Sequence, residues 1–176
     1  GYYGLRDGTT LAARASAGTI FGYGGQDVRL LDLFYRGSET VRGFAYSGIG
    51  PRDSLSANQD SLGGKTYYAT SVELRQQIVP SMGLSGFGFV DAGSLFGANK
   101  TASAVPGLTG NSATPRVSAG LGIAWDSPLG PLQASYGVPL LMKEDGDEGR
   151  AHPPPELPPP PPLPAPSVPS GGKKAA

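Results

Sequence analysis

The feature that most constrains the fold of this chain is a two-residue alternation of side-chain type, repeated in separate segments. Residues 116–126 alternate apolar side chains such as Leu121 with small or polar ones such as Ser118. This period places successive side chains on opposite faces of a β-strand. Residues 10–21, 66–79 and 132–140 alternate similarly, and residues 84–95 form a strand whose phase is less clear. The sequence therefore predicts an all-β fold with about five strands.

The connections between these strands alternate in length. Short turns are predicted at residues 7–8, 80–83 and 127–131, and long connections at residues 24–64 and 96–115. Residues 96–115, rich in Gly, Ser, Thr and Pro, read as an exposed loop, and residues 143–148 as a charged loop. Outer-membrane β-barrels show this pattern, with brief periplasmic turns and longer extracellular loops.

The two strand faces also differ in character. One face is apolar throughout, whereas the other is small and polar, with charges at Arg14, Glu73 and Arg75. A soluble sandwich would carry more Lys and Glu on its outward face. Trp125 lies beside a short turn, where the aromatic girdle of a membrane protein is expected. The pattern favours a transmembrane barrel over a soluble sandwich.

The long connection at residues 24–64 does not have the composition of a solvated linker. Its central stretch, residues 33–52, contains four aromatic residues, three Arg and four Gly. A long loop with its own apolar anchors usually packs against a surface and carries function. We interpret it as a loop that folds back onto an interior surface, with Val41-Arg42-Gly43-Phe44 at its centre.

Arg42 then needs a partner on that interior surface. Glu73 falls on the polar face of its strand, which faces inward in a barrel, and Asp91 is expected to face inward too. Arginine suits such a site because its planar fork can serve two carboxylates at once. The alternative is that Arg42 is a solvated loop charge.

Other chemistry has little support in the sequence. Gly63-Gly64-Lys65-Thr66 resembles the end of a phosphate-binding loop, but Gln59 stands where that motif needs Gly, and a strand follows instead of a helix. His152 is the single histidine, there is no cysteine, and the net charge is zero. We therefore expect no catalytic residues, no cofactor, no metal site and no nucleic-acid partner.

Several motifs together resemble BamA-type outer-membrane protein assembly factors, the bacterial surface antigen family. The first is Tyr35-Arg-Gly-Ser-Glu-Thr-Val-Arg-Gly-Phe44 followed by Gly48-Ile-Gly-Pro51, which is similar to the family's sixth extracellular loop. The further matches, in family order, are Gly63-Gly64 with Val72-Glu-Leu74, Phe89-Val-Asp-Ala-Gly-Ser-Leu95, Arg116-Val-Ser-Ala-Gly-Leu-Gly122 with Trp125, Ser127-Pro-Leu-Gly-Pro-Leu132, and Tyr136-Gly-Val-Pro-Leu140. The resemblance covers residues 11–148.

This resemblance implies a 16-stranded antiparallel transmembrane β-barrel preceded by periplasmic POTRA domains. Only the C-terminal part is expected here, as an open sheet of about five strands over residues 1–148, with a long lumenal loop at residues 24–64. The family's loop tip enters the lumen, where its Arg meets acids on the barrel wall. Carried over by motif, these residues are Arg42 with Glu73 and Asp91.

The family's final strand has no counterpart in this sequence. Residues 149–176 instead form a Pro-rich tail, with eleven prolines between Pro153 and Pro169. Proline cannot donate to a sheet ladder, so we expect a disordered extension. The tail could alternatively be a polyproline II ligand for an SH3-like partner.

The function implied by the resemblance is assembly and insertion of β-barrel proteins into the bacterial outer membrane, of which this chain would be an inactive fragment. The implied partners are outer-membrane lipids, unfolded β-barrel clients and, through POTRA domains, the lipoproteins of an assembly complex. The alternatives are the barrel of a two-partner-type secretion transporter and a passive porin-like barrel. No covalent chemistry is expected in any of these.

Overall fold

Six antiparallel strands form one open sheet in the computed structural model, which describes residues 1–128 and 130–142. The strands of the chain, in order, are β1 (Tyr2–Arg6), β2 (Thr9–Thr19), β3 (Arg52–Asp53), β4 (Thr66–Val79), β5 (Leu84–Phe96), β6 (Leu108–Thr109), β7 (Arg116–Ser127) and β8 (Gly130–Leu141). The large sheet has the order β1-β2-β4-β5-β7-β8, and β3 pairs with β6 separately. Strand β1 raises the number of strands in the large sheet from the expected count of about five to six.

Helices are minor elements of this fold. Two 3₁₀ turns span Leu30–Asp32 and Pro80–Met82, and the one-turn helix α1 spans Lys100–Ser103. Among residues 1–128 and 130–142, no helix is long and apolar enough to cross a membrane.

The two faces of the sheet follow the predicted alternation. On β7, Leu121 is 73% exposed on the outer face, whereas Ser118 is fully buried on the inner face. On β5, where the sequence left the phase open, Phe87, Phe89 and Asp91 are buried on the inner face and Val90 is on the outer one. The apolar outer face is thus the one that meets lipid in a membrane barrel.

The segment of residues 24–64 folds over the inner face of the sheet. Its Val41, Phe44 and Ile49 are almost completely buried and form a cluster with Leu95 of β5. Phe34 and Tyr67 pack against this cluster with their ring centroids 4.9 Å apart. Aliphatic and aromatic residues of the loop therefore supply most of the larger buried cluster of the described structure.

The prediction of an exposed loop at residues 96–115 is wrong in part. Ala98, Asn99 and Ala102 are buried, and β6 pairs with β3 of the long loop. Asn99 links the two segments because its side-chain amide donates to the Val28 carbonyl at 3.0 Å, while its oxygen accepts the Ala102 N–H. The two long connections thus pack together above the sheet.

The Gly63-Gly64-Lys65-Thr66 segment leads into a strand, as expected from the sequence. Lys65 forms an ion pair with Asp27 at 3.1 Å, and strand β4 begins at Thr66. The predicted charged loop, His152 and the Pro-rich tail lie outside the described residues.

Candidate functional site

The tip of the long loop is a tight turn built on glycine. The Thr40 and Val41 amides donate to the Gly37 carbonyl at 2.9 and 2.8 Å. Gly43 has φ +95°, which side chains rarely adopt, and a Cβ there would lie 3.0 Å from the Gly137 carbonyl group. Glycine at position 43 therefore permits both the turn and its close approach to β8.

Arg42 projects from this turn onto the sheet. Its Nε and Nη2 donate to Asp91 Oδ2 and Oδ1 at 2.7 and 2.9 Å, which is a two-pronged carboxylate contact. Its Nη1 donates to Glu73 Oε2 at 3.0 Å, and Nη2 also donates to Ser71 Oγ at 3.2 Å. The Arg42 amide adds a bond to Asp91 Oδ2 at 3.1 Å. The structure thus brings together Arg42, Glu73 and Asp91, the three charged residues singled out in the sequence.

The strand register explains why these partners converge. Ser71 and Glu73 are two residues apart on β4, and Asp91 on β5 lies directly opposite Ser71. Residues two apart in a strand share a face, so all three side chains point inward. The Asp91 side chain is 2% exposed, that of Glu73 15% and that of Arg42 22%. Charge-assisted bonds are stronger in such a water-poor setting than in bulk solvent.

The electrostatics of the site are balanced. Burial alone would lower the pKa of Arg42, but its hydrogen bonds to Asp91 and Glu73 hold that pKa above its ordinary value. Glu73 has a second cation, because Arg75 Nη2 donates to its Oε1 at 2.9 Å. Two cations therefore meet two anions, and Glu73 joins them.

An aromatic platform lies beneath the guanidinium. The Arg42 Cζ is 3.5 Å from the centroid of the Phe89 ring, close enough for a cation–π contact. The neighbouring Arg75 lies 5.3 Å from the Phe87 centroid. Each of the two arginines that contact Glu73 thus lies near a different phenylalanine of β5.

The other members of the tip motif anchor it through packing. Val41 and Phe44 are 1% and 0% exposed within the cluster around Leu95. A Cβ on Gly93 would lie 3.0 Å from Val41 Cγ2, so glycine leaves room for this anchor. The ion pairs of Arg42 and the packing of Val41 and Phe44 therefore both hold the same turn in place.

Sequence reasoning did not single out Ser71, Phe89 or Gly137 at this site. Ser71 and Phe89 each lie two residues before a predicted acid on the same strand. The two-residue period of the strand therefore already placed each of them on the same face as that acid. Gly137 carried no such signal, since its contact with the tip depends on how far the loop descends. Within the described part of the chain, no cluster of three potential metal ligands occurs.

The site geometry can be set beside known proteins. The Omp85 superfamily domain model matches residues 1–152. The chain is 33% identical over 134 residues to the outer membrane protein assembly factor BamA of Neorickettsia risticii, covering 75% of this chain and 17% of the relative. It is 31% identical over 147 residues to a SAM50-like protein of Schizosaccharomyces pombe, covering 80% and 29%.

A solved structure shows the same fold. The crystal structure of BamA from Haemophilus ducreyi lacking POTRA domains 1–3 aligns with a TM-score of 0.71 and 26% identity, over 84% of this chain and 31% of that one. The chain spans less than a third of the length of each of these relatives. The open six-stranded sheet therefore corresponds to part of a barrel, and the chain belongs to the Omp85 superfamily of outer-membrane proteins.

Proposed function

We propose that this chain is the barrel segment of a factor that assembles and inserts β-barrel proteins into the bacterial outer membrane. The observation that carries the proposal is the docking of Arg42 onto Asp91 and Glu73 inside an Omp85-type sheet. Support comes from the resemblance to BamA and SAM50-like proteins, which extends over most of this chain.

The physical requirement for such a factor follows from the bilayer. Unpaired strand edges are costly in lipid because no water is available to satisfy their N–H and C=O groups. A barrel with a weak seam can offer an edge to an incoming client strand. The docked loop holds β4, β5 and β8 in fixed relation, because its tip touches all three. We propose that this bracing keeps the wall in shape while the seam opens.

The partners of the whole protein follow from this proposal. They are unfolded β-barrel clients, outer-membrane lipids along the apolar outer face, and assembly lipoproteins that contact POTRA domains. The contact of Arg42 with Asp91 and Glu73 contributes by holding the barrel wall in shape, without a covalent step. A transporter for one dedicated secreted partner, or a passive porin-like barrel, would use a similar wall for a different end.

The test is client insertion by the full-length protein that contains this chain. Liposomes holding the protein, or none, receive two unrelated unfolded barrel proteins, and folding is followed by the gel-mobility shift on heating. Acceleration of both clients is expected. Acceleration of neither, or secretion of a single dedicated partner, would contradict the proposal.

A further inference from the structure

Two phenylalanine rings on the inner face lie directly over glycines of the neighbouring strand. Phe89 of β5 pairs with Gly120 of β7, and Phe87 pairs with Gly122. A Cβ on Gly120 would lie 2.5 Å from Phe89 Cζ, and one on Gly122 would lie 2.3 Å from Phe87 Cζ. Each ring therefore occupies the space that a side chain on β7 would fill.

The Phe89 ring has a second glycine beside it, on β8. A Cβ on Gly137 would lie 3.1 Å from Phe89 Cζ and 3.2 Å from both the Arg42 carbonyl carbon and the Gly43 nitrogen. The tip of the ring, at Cζ, thus faces two glycines, and the Arg42 guanidinium lies 3.5 Å from the ring centroid.

The Phe89 ring limits how closely Arg42 can approach the sheet. The guanidinium already touches the ring, and its bonds to Asp91 are 2.7 and 2.9 Å long. Such bonds weaken when the donor and acceptor separate beyond about 3.2 Å. Close-packed interiors transmit strain, so a group that displaces the Phe89 ring would also displace Arg42.

We propose that Gly120 and Gly137 form a seat for Phe89 and are positioning residues for Arg42. They carry no charge and donate no side-chain bond, and they act by the absence of a side chain. The consequence for client insertion rests on the proposed function, whereas the docking of the loop tip can be measured independently of it.

Gly122 provides a matched comparison on the same strand and face. A Cβ on Gly120 would also approach the Tyr136 carbonyl oxygen at 2.2 Å, and one on Gly122 would approach that of Ala134 at 2.6 Å. Both substitutions therefore disturb the pairing of β7 with β8. Only the ring above Gly120 supports an arginine of the loop, because the ring above Gly122 lies near Arg75 of β4.

The experiment reports docking through a cysteine at the tip of the full-length protein, in a cysteine-free background. Val41→Cys is suitable because Val41 is 1% exposed and Cys behaves as a small apolar residue. Maleimide labelling should be at least about tenfold faster in Gly120→Ala, because overpacking destabilises the docked state. Gly122→Ala should label at the parent rate. Equal acceleration in both variants, or in neither, would overturn the seat.

A second variant covers the case in which Gly120→Ala fails to assemble. In Gly137→Val the added group meets Phe89 and the loop tip but no backbone atom of β7 among its nearest neighbours. Assembled barrels, identified by their gel-mobility shift on heating, should again label faster, and an unchanged rate would refute the proposal. Faster labelling with unchanged client insertion would support the seat and count against the role of docking in insertion.

Discussion

Replacement of Arg42 by Ala is expected to free the long loop from the barrel wall. The change removes four side-chain hydrogen bonds and leaves Asp91, whose side chain is 2% exposed, without its cation. Breaking one partner of a buried pair costs about 3–5 kcal/mol. Glu73 keeps Arg75, so we expect the lower end, about 3 kcal/mol. That value corresponds to an increase of about 100-fold in the undocked population.

Limited proteolysis of the full-length protein measures this change directly. Cleavage within residues 37–50 should accelerate strongly in Arg42→Ala. Arg42→Lys should recover little protection, because an ammonium cannot reproduce the two-pronged contact with Asp91. Arg29→Ala is the control in the same loop, since Arg29 is 83% exposed and pairs only three residues away, with Asp32. Equal protection of wild type and Arg42→Ala, in barrels that remain assembled, would refute the reasoning.

Three further outcomes test other parts of the structure. Leu121→Arg on the lipid-facing side should lower the yield of assembled barrel far more than Ser16→Arg on the inner face. The reason is that a charge in lipid costs about 2–4 kcal/mol. The opposite order of yields would mean that the two faces are reversed. The pKa of Asp27 is lowered from 3.8 to about 2 by hydrogen bonds from the Lys100 amide, the Lys65 ammonium and the Val28 amide. The stabilisation of the loop packing by ionised Asp27 is therefore complete above pH 4 and is lost as the pH falls to about 2. Pepsin cleavage within residues 96–115 should therefore be faster in Asp27→Asn than in wild type near pH 4, with the two rates converging toward pH 2; a constant ratio would contradict this. The isolated 176-residue chain should aggregate and show no gel-mobility shift on heating, because β1 and β8 each have an unpaired edge within the described sheet; a compact monomer that shows the shift would argue against it.

The pairing of Arg42 with its acids shows how far local pattern can reach. Alternation placed Glu73 on the inner face, and an aromatic loop with one central arginine called for a partner there. The structure brings Arg42 within hydrogen-bond distance of Glu73 and Asp91. The two-residue period of a strand predicts the face of each side chain here because it depends on local backbone geometry and not on distant contacts.

Residues 96–115 show where that reasoning stops. Their small and polar composition predicted an exposed loop, yet Ala98, Asn99 and Ala102 are buried. Asn99 is satisfied by the Val28 carbonyl, 71 residues away in the sequence. No local pattern encodes such a contact, because it exists only when both long connections lie over the same end of the sheet.

The sequence by itself determined five of the six strands of the large sheet, the outer and inner faces of all of these except β5, and the types of residue at the loop tip. Each of these depends on backbone period or on the chemistry of single side chains. The alternation along β5 left its phase open, because glycine and apolar residues occupy both of its faces; an inward Asp91 was expected only as a partner for Arg42, and the tertiary structure decided the phase. Phe87 and Phe89 point inward, where Gly122 and Gly120 on β7 leave space for their rings. That choice depends on the packing between strands, and it sets the position of Arg42 as well.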